Sequence, residues 1–445
     1  VEQAAQVRRR LEEAGVRYFF GAYTDIHGVP KSKCVPVGHL ADAAAGSELY
    51  TVGALEGMGD LGPNEDECSG VPDLDAVTVL PWDTRYALAP VNLYLHGEPY
   101  AFDYRRLLQD QLAAAAELGF RCDLGVEPEV YVLRRTADGV EPFVPEDTVN
   151  GPTRGYDVYT TMLADPFLEQ VVEHLQALGW DPYSFDHEGG AGQYEFDFGY
   201  ADALVTADRM LVFRLMCKHV ARSLGCVATF MPKPFQAAFG SGAHFNLSLA
   251  DAGTGRNLFT AEDGYSELAL QFTAGVLHHG AALTAVLAPT VNSYKRLLPR
   301  GLMNEISWAP VYRAYGHNNR TLMCRLPGNR RCLEIRVADS AVNFYLGAAV
   351  TLAAGLDGVR RGLKPGDPVN YDTYRRSEEQ LAADGVHRLP STLGAAVEAF
   401  RRDELMAEAL GPAVHRAYAA YKEAEWLEYN MVVSEWERRK YLELW

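Results

Sequence analysis

Apolar residues recur at helical spacing in several stretches of the chain. They predict a short amphipathic helix over 2–14, ended by Gly15, and a helix from Tyr104 to Leu118, closed by Gly119. Further helices are expected over Asp165–Leu178, Ala201–Ser223, Ser266–Leu287, Ala341–Gly355 and Ser391–Leu410. Extended patterns run over Val16–Tyr23, Lys31–Val37, Ala76–Leu80 and Val91–Leu95, with Asp25-Ile26-His27-Gly28 as a turn. Thr51–Pro72 is rich in Gly, Pro and acidic residues and is expected to be loop. Strands clustered with helices to one side point to an α+β protein rather than a doubly wound parallel sheet.

Four further extended segments place polar groups on one face only. They are Val126–Val130, Gln193–Asp197, His244–Ser248 and Leu333–Val337. Because residues i and i+2 of a strand point the same way, Glu127 falls with Glu129 and Glu195 with Asp197. Likewise His244 falls with Asn246 and Ser248, and Glu334 with Arg336. Phe196, Phe198, Phe245, Leu247, Leu333, Ile335 and Val337 then face a core. A sheet with one carboxylate-lined face needs cations to be tolerable, which is the mark of a metal-dependent site.

Glu127, Glu129, Glu188, Glu195, His244 and Glu334 are therefore the candidate ligands. Five carboxylates and one imidazole suit Mg²⁺ or Mn²⁺ better than zinc, and so many acids imply two or three ions. Arg296, Arg320, Arg325 and Arg336 supply the guanidinium forks that a phosphate or an anionic substrate needs. Gly240-Ser241-Gly242, just before His244, would let backbone approach a ligand closely.

Length and composition narrow the classes. At 445 residues there is room for more than one domain. The formal charge of −18 argues against a nucleic-acid partner. Seven cysteines without a C-x-x-C pair suggest neither a disulfide framework nor a zinc ribbon. The first residues carry no signal-peptide-like apolar stretch, and the most apolar window, Ala281 to Pro289, is too short to span a bilayer. The expectation is a soluble cytoplasmic protein with no membrane association. Gly57-Met58-Gly59-Asp60-Leu61-Gly62 matches a dinucleotide-binding spacing, but the acidic residues that follow would repel a phosphate, and it is set aside.

Six ordered motifs carry a resemblance. Glu-Pro-Glu at 127–129, Gly-Gln-Tyr-Glu at 192–195, and Lys233-Pro234 followed by Gly-Ser-Gly-Ala-His at 240–244 resemble glutamine synthetase. So do Ala-Pro-Thr-Val-Asn-Ser-Tyr-Lys-Arg at 288–296, Asn-Asn-Arg at 318–320 and Glu-Ile-Arg at 334–336. The likeness extends from about Phe19 to Glu437. It implies an N-terminal β-grasp domain over 1–100 and a catalytic domain over 101–445, built on a curved antiparallel sheet flanked by helices. It also implies a homo-oligomer, commonly a dodecamer, with active sites shared between subunits.

By the same resemblance, Glu129, Glu188 and Glu195 match one metal site and Glu127, His244 and Glu334 a second. Arg296, Arg336 and Gly240 match the glutamate pocket, and Arg320 the residue over the transferring phosphoryl group. Ser248, Arg325 and Asn246 fall at nucleotide contacts, with Asn246 replacing a histidine. Asp25 matches an aspartate that a neighbouring subunit contributes near the amine. The implied chemistry is ATP-dependent formation of γ-glutamyl phosphate from L-glutamate, followed by attack of an amine.

One departure bears on the amine. Where the family loop reads Gly-Tyr-Glu-Ala-Pro, this chain has Ile306-Ser307-Trp308-Ala309-Pro310. Trp308 stands in place of the loop carboxylate, unless Glu305 supplies that group from a rearranged connection. An indole cannot take a proton but offers an alkylammonium a cation–π face. The loop is similar to that of relatives that make γ-glutamylamides, γ-glutamylmethylamide synthetase among them. The expected activity is ligation of a small alkylamine such as methylamine; ammonia, or a catalytically silent ring of the same fold, are the alternatives.

Overall fold

The computed structural model describes residues 2–137, 139–148, 155–299 and 307–445. Glu305, with the rest of residues 300–306, lies outside the described residues. Among the described residues two principal sheets form, and no helix is long and apolar enough to cross a membrane.

The first sheet draws seven strands from residues 18–99. Tyr18–Thr24 pairs antiparallel with Pro30–Pro36 and parallel with Tyr86–Leu95. The expectation of loop over Thr51–Pro72 fails at its end: Cys68–Pro72 is a strand, paired with Tyr86–Leu95 and with Leu49–Tyr50. Its proline sits at the strand terminus, where the missing N–H costs no ladder bond. Arg105, on the helix Tyr104–Glu117, is 3% exposed and ties this sheet to the rest. It donates to Asp73 at 2.7 Å and to both carboxylate oxygens of Asp208 at 2.9 Å.

The second sheet has eleven strands and carries the polar face. Its axis is the long strand Phe120–Thr136. Gln193–Phe198 and then Pro182–His187 lie to one side, and Ala243–Asp251, Leu333–Ile335 and Leu322–Arg325 to the other. All these pairings are antiparallel; Tyr312–Gly316 then adds to Leu322–Arg325 in parallel. The apolar face is sealed as the alternation demands, with Phe196, Phe245, Leu247, Leu333, Ile335 and Val337 at most 1% exposed. The helices Ala203–Ser223 and Phe344–Arg361 contribute to the same core.

Three helices differ from the pattern reading. Ser266–Leu287 divides into Glu267–His278 and Gly280–Leu287, and Ser391–Leu410 into Leu393–Arg402 and Glu404–Leu410. The two break residues meet: His279 bonds Asp403 at 2.7 Å through Nδ1 and Asp357 at 3.1 Å through Nε2. The expected helix Ala341–Gly355 begins instead at Phe344, capped by Asn343, and runs to Arg361 with Gly362 left-handed beyond it.

Candidate active site

Strand register brings the acidic residues together. Glu195 lies opposite Glu129, and Asp186 opposite Glu195, so three carboxylates form a row across three strands. On the other flank His244 lies opposite Glu127, and Glu334 opposite both Asn246 and Arg325. All of these residues but Asn246 line a cavity of about 680 Å³, together with Glu188, Gly240, Arg296, Trp308, Arg320 and Arg336.

Ligand atoms of Glu129, Glu188 and Glu195 lie within 4.8 Å of one another, and so do those of Glu127, Glu195 and His244. Glu195 thus belongs to both groups. Glu334 stands apart, held by arginines: Arg325 donates to it at 2.6 Å, and Arg336 also donates to it. His244 Nδ1 lies 3.2 Å from Glu127, and Asn246 donates to Glu127 at 3.0 Å.

The protonation states expose the strain of crowding. Burial, with the Glu188 charge beside it, pushes Glu129 up to about 8. Burial and three neighbouring glutamates raise Glu195 far above the carboxylate range. Asp186 rises to about 6 and Asp197 to about 7, burial leading in both, and one oxygen of each is buried without a hydrogen bond among the described residues. Burial would raise Glu127 as well, but the His244 hydrogen bond and the Arg330 charge outweigh it and hold it low. Burial and Arg336 depress His244 to about 4, leaving a neutral imidazole. Crowded, unpaired oxygens beside a neutral ring nitrogen fit hard divalent cations, which would relieve the repulsion.

The glycine-rich approach is as tight as expected. A Cβ at Gly240 would lie 2.6 Å from Arg296 Cγ, and one at Gly242 only 2.8 Å from both Glu129 Oε1 and His244 Nε2. Gln193 steadies Glu129 by donating at 2.8 Å, and Arg296 donates to the carbonyls of Val337 and Arg336. Trp308 is 54% exposed, with φ of 57°, a left-handed conformation uncommon outside glycine.

Several expected residues lie off the cavity lining. Asn246 touches it through Glu127, while Ser248 is buried opposite Asp123. Asp25 is held in its own turn, accepting from the backbone N–H groups of His27 and Val29 and pairing with Lys31 at 3.1 Å. Conversely Asp186, Tyr156 and Arg330 line the cavity and were not among the candidates. Asp186 shares the i, i+2 spacing with Glu188 that flagged the other acids; Tyr156 and Arg330 carry no such signal.

The glutamine synthetase catalytic-domain family model matches residues 101–441. Over 445 residues, covering 99% of each chain, the sequence is 38% identical to a glutamate–methylamine ligase of Methyloversatilis universalis. It is 37% identical over 435 residues to a glutamine synthetase of Rhizobium meliloti, covering 97% of this chain and 98% of that one. The solved structure of GmaS in complex with ADP superposes with a TM-score of 0.90 at 36% identity, covering 98% of this chain and 99% of that one. Sequence and backbone agree over nearly the full length, and the chain belongs to the glutamine synthetase family of ATP-dependent carbon–nitrogen ligases.

Proposed function

We propose that the protein joins a small alkylamine, methylamine foremost, to the γ-carboxylate of L-glutamate through γ-glutamyl phosphate. The observation that carries the choice of amine is Trp308, an exposed indole lining the same cavity as Arg320 and Arg336. It offers a methylammonium an apolar, cation–π wall, where a carboxylate would favour bare ammonium. The full-length likeness to a glutamate–methylamine ligase supports the same reading.

Arg296, Arg336 and Gly240 are assigned to glutamate, and Arg320 to the transferring phosphoryl group. Arg325, Asn246 and Ser248 are assigned to the nucleotide, the last two acting from beside the cavity. Glu129, Glu188 and Glu195 would hold one Mg²⁺ or Mn²⁺ and Glu127, His244 and Glu334 another, with up to three ions in all. When bound, the cations shield the repulsion between ATP and the glutamate carboxylate. The residues hold two anions in line and exclude water while the phosphoryl moves. The amine must lose a proton before it attacks, since an alkylammonium has a pKa near 10.4, as lysine does.

Residues 1–100 and 101–445 are taken as a β-grasp and a catalytic domain, assembled as a dodecamer with shared sites in the cytoplasm. Support comes from the exposed apolar C-terminal residues Met431, Val433, Leu442 and Trp445, which suit burial against another copy. Asp25 is absent from the lining of its own chain's cavity, so its assigned role beside the amine is one played in a neighbour's site. All seven cysteines are free, consistent with a reducing compartment. Phosphate release with glutamate, ATP and a panel of amines tests the activity, and light scattering tests the ring. Ammonia outpacing every alkylamine would overturn the choice of amine.

A further inference from the structure

Arg330 lies in the turn joining the strands Leu322–Arg325 and Leu333–Ile335. One of its nitrogens, Nη2, donates to Glu127 Oε1 at 2.6 Å and lies 3.3 Å from Glu334 Oε2. These two carboxylates come from different strands, separated by Ala243–Asp251. A single guanidinium nitrogen therefore bridges the two acids assigned above to one divalent cation. Arg325 and Arg336 also hold Glu334, but Arg330 is the arginine on Glu127, and a cation bound by Glu127 would stand a few ångströms from it, so guanidinium and metal exclude each other there.

The side chain is built to move. Its backbone carbonyl is anchored, accepting from Tyr265 at 2.9 Å, while the side chain is 37% exposed and lines the cavity. Among the described residues Nε is buried without a partner and the guanidinium is tied through Nη2, so it keeps donors in reserve. A guanidinium released into a cavity that also receives ATP meets a better partner in the phosphates, which it can grip with two parallel hydrogen bonds.

We propose that Arg330 is an exchangeable counter-ion that pairs Glu127 with Glu334 in the cation-free site and transfers to nucleotide phosphate when a divalent cation takes its place. Metal binding thereby prepares nucleotide binding, and by linkage nucleotide tightens metal to the same degree. This rests on the metal and nucleotide assignments above. Without nucleotide, Arg330 competes for the cation's ligands; with nucleotide, the competition ends.

The test is a Mn²⁺ titration of the full-length protein, free Mn²⁺ being followed by electron paramagnetic resonance, with and without ADP. Wild type, Arg330→Met and Arg330→Lys are compared, and circular dichroism checks their fold. In wild type, ADP should tighten Mn²⁺ binding by about tenfold, within the usual range of coupling between sites. Arg330→Met should bind Mn²⁺ more tightly than wild type without ADP, and ADP should then add less than about threefold. Arg330→Lys, which keeps a mobile charge, should retain part of the coupling. Tighter Mn²⁺ binding by Arg330→Met with undiminished ADP coupling would reveal only a general field effect and overturn the exchange. Equal Mn²⁺ affinity in wild type and Arg330→Met would overturn it too, whereas wild type binding no Mn²⁺ would remove the metal assignment itself.

Discussion

Gly242→Ala places one methyl group against both metal-ligand clusters. The backbone at Gly242 cannot yield, because its carbonyl accepts from Glu129 N at 3.1 Å and from Ser340 Oγ at 2.7 Å. The side chains must move instead. Ordinary contact begins at 3.4 Å, whereas the new Cβ would lie 2.8 Å from Glu129 Oε1 and His244 Nε2 and 3.0 Å from Arg296 Nη2. The shortfall is 0.6 Å for the two ligands and 0.4 Å for the arginine. Metal sites tolerate roughly 0.2 Å, so cation affinity should fall by about ten- to a hundredfold. With Arg296 displaced as well, kcat/KM should fall by about 10². Overpacking should lower stability by roughly 1–3 kcal/mol, leaving the protein folded. Gly38→Ala is the control, since a Cβ there meets nothing within 4 Å. The assays are Mn²⁺ binding, phosphate release and thermal melting. Wild-type Mn²⁺ affinity and turnover in Gly242→Ala would refute the close approach of backbone to ligands.

The remaining predictions concern specificity and stability. Trp308→Gly keeps the left-handed backbone at φ 57° without its cost of about 1 kcal/mol, but removes the indole. The ratio of methylamine to ammonia kcat/KM should fall by roughly two- to fivefold, the worth of a cation–π contact at an exposed site, and Trp308→Glu should move it further toward ammonia. Arg105→Met leaves Asp73 and Asp208 without their shared cation and should cost roughly 3 kcal/mol in denaturant unfolding. Burial alone would lower His279, yet its hydrogen bonds to Asp403 and Asp357 raise it above the usual histidine value. Its stabilisation is full below about pH 6.5 and fades as pH rises through the raised folded value. The melting temperature lost in His279→Gln should therefore be larger at pH 6 than at pH 9; equal losses would show a packing role only.

The polar face was legible because alternation is local: Phe196, Phe245 and Ile335 mark the buried side, and Glu195, His244 and Glu334 the other. Register was not legible. That Glu127 faces His244, or that Arg325 faces Glu334, depends on which strands pair, and no local pattern encodes it. The helix breaks at His279, just before Gly280, and at Asp403 are joined by a tertiary contact between these two residues, which no local pattern encodes. Asp186 carries no such mark, because its strand exposes Tyr183 and Phe185 and so lacks a clean apolar face. Arg330 reads in sequence as one arginine of a basic pair, and its position between two carboxylates comes only from the fold.

The central claim is that this site selects an alkylamine. It is tested most directly by steady-state phosphate release with saturating glutamate, ATP and Mg²⁺ or Mn²⁺, varying methylamine and ammonia separately. The account predicts a higher kcat/KM for methylamine, with γ-glutamylmethylamide as the product. A higher kcat/KM for ammonia, with glutamine as the product, would contradict it.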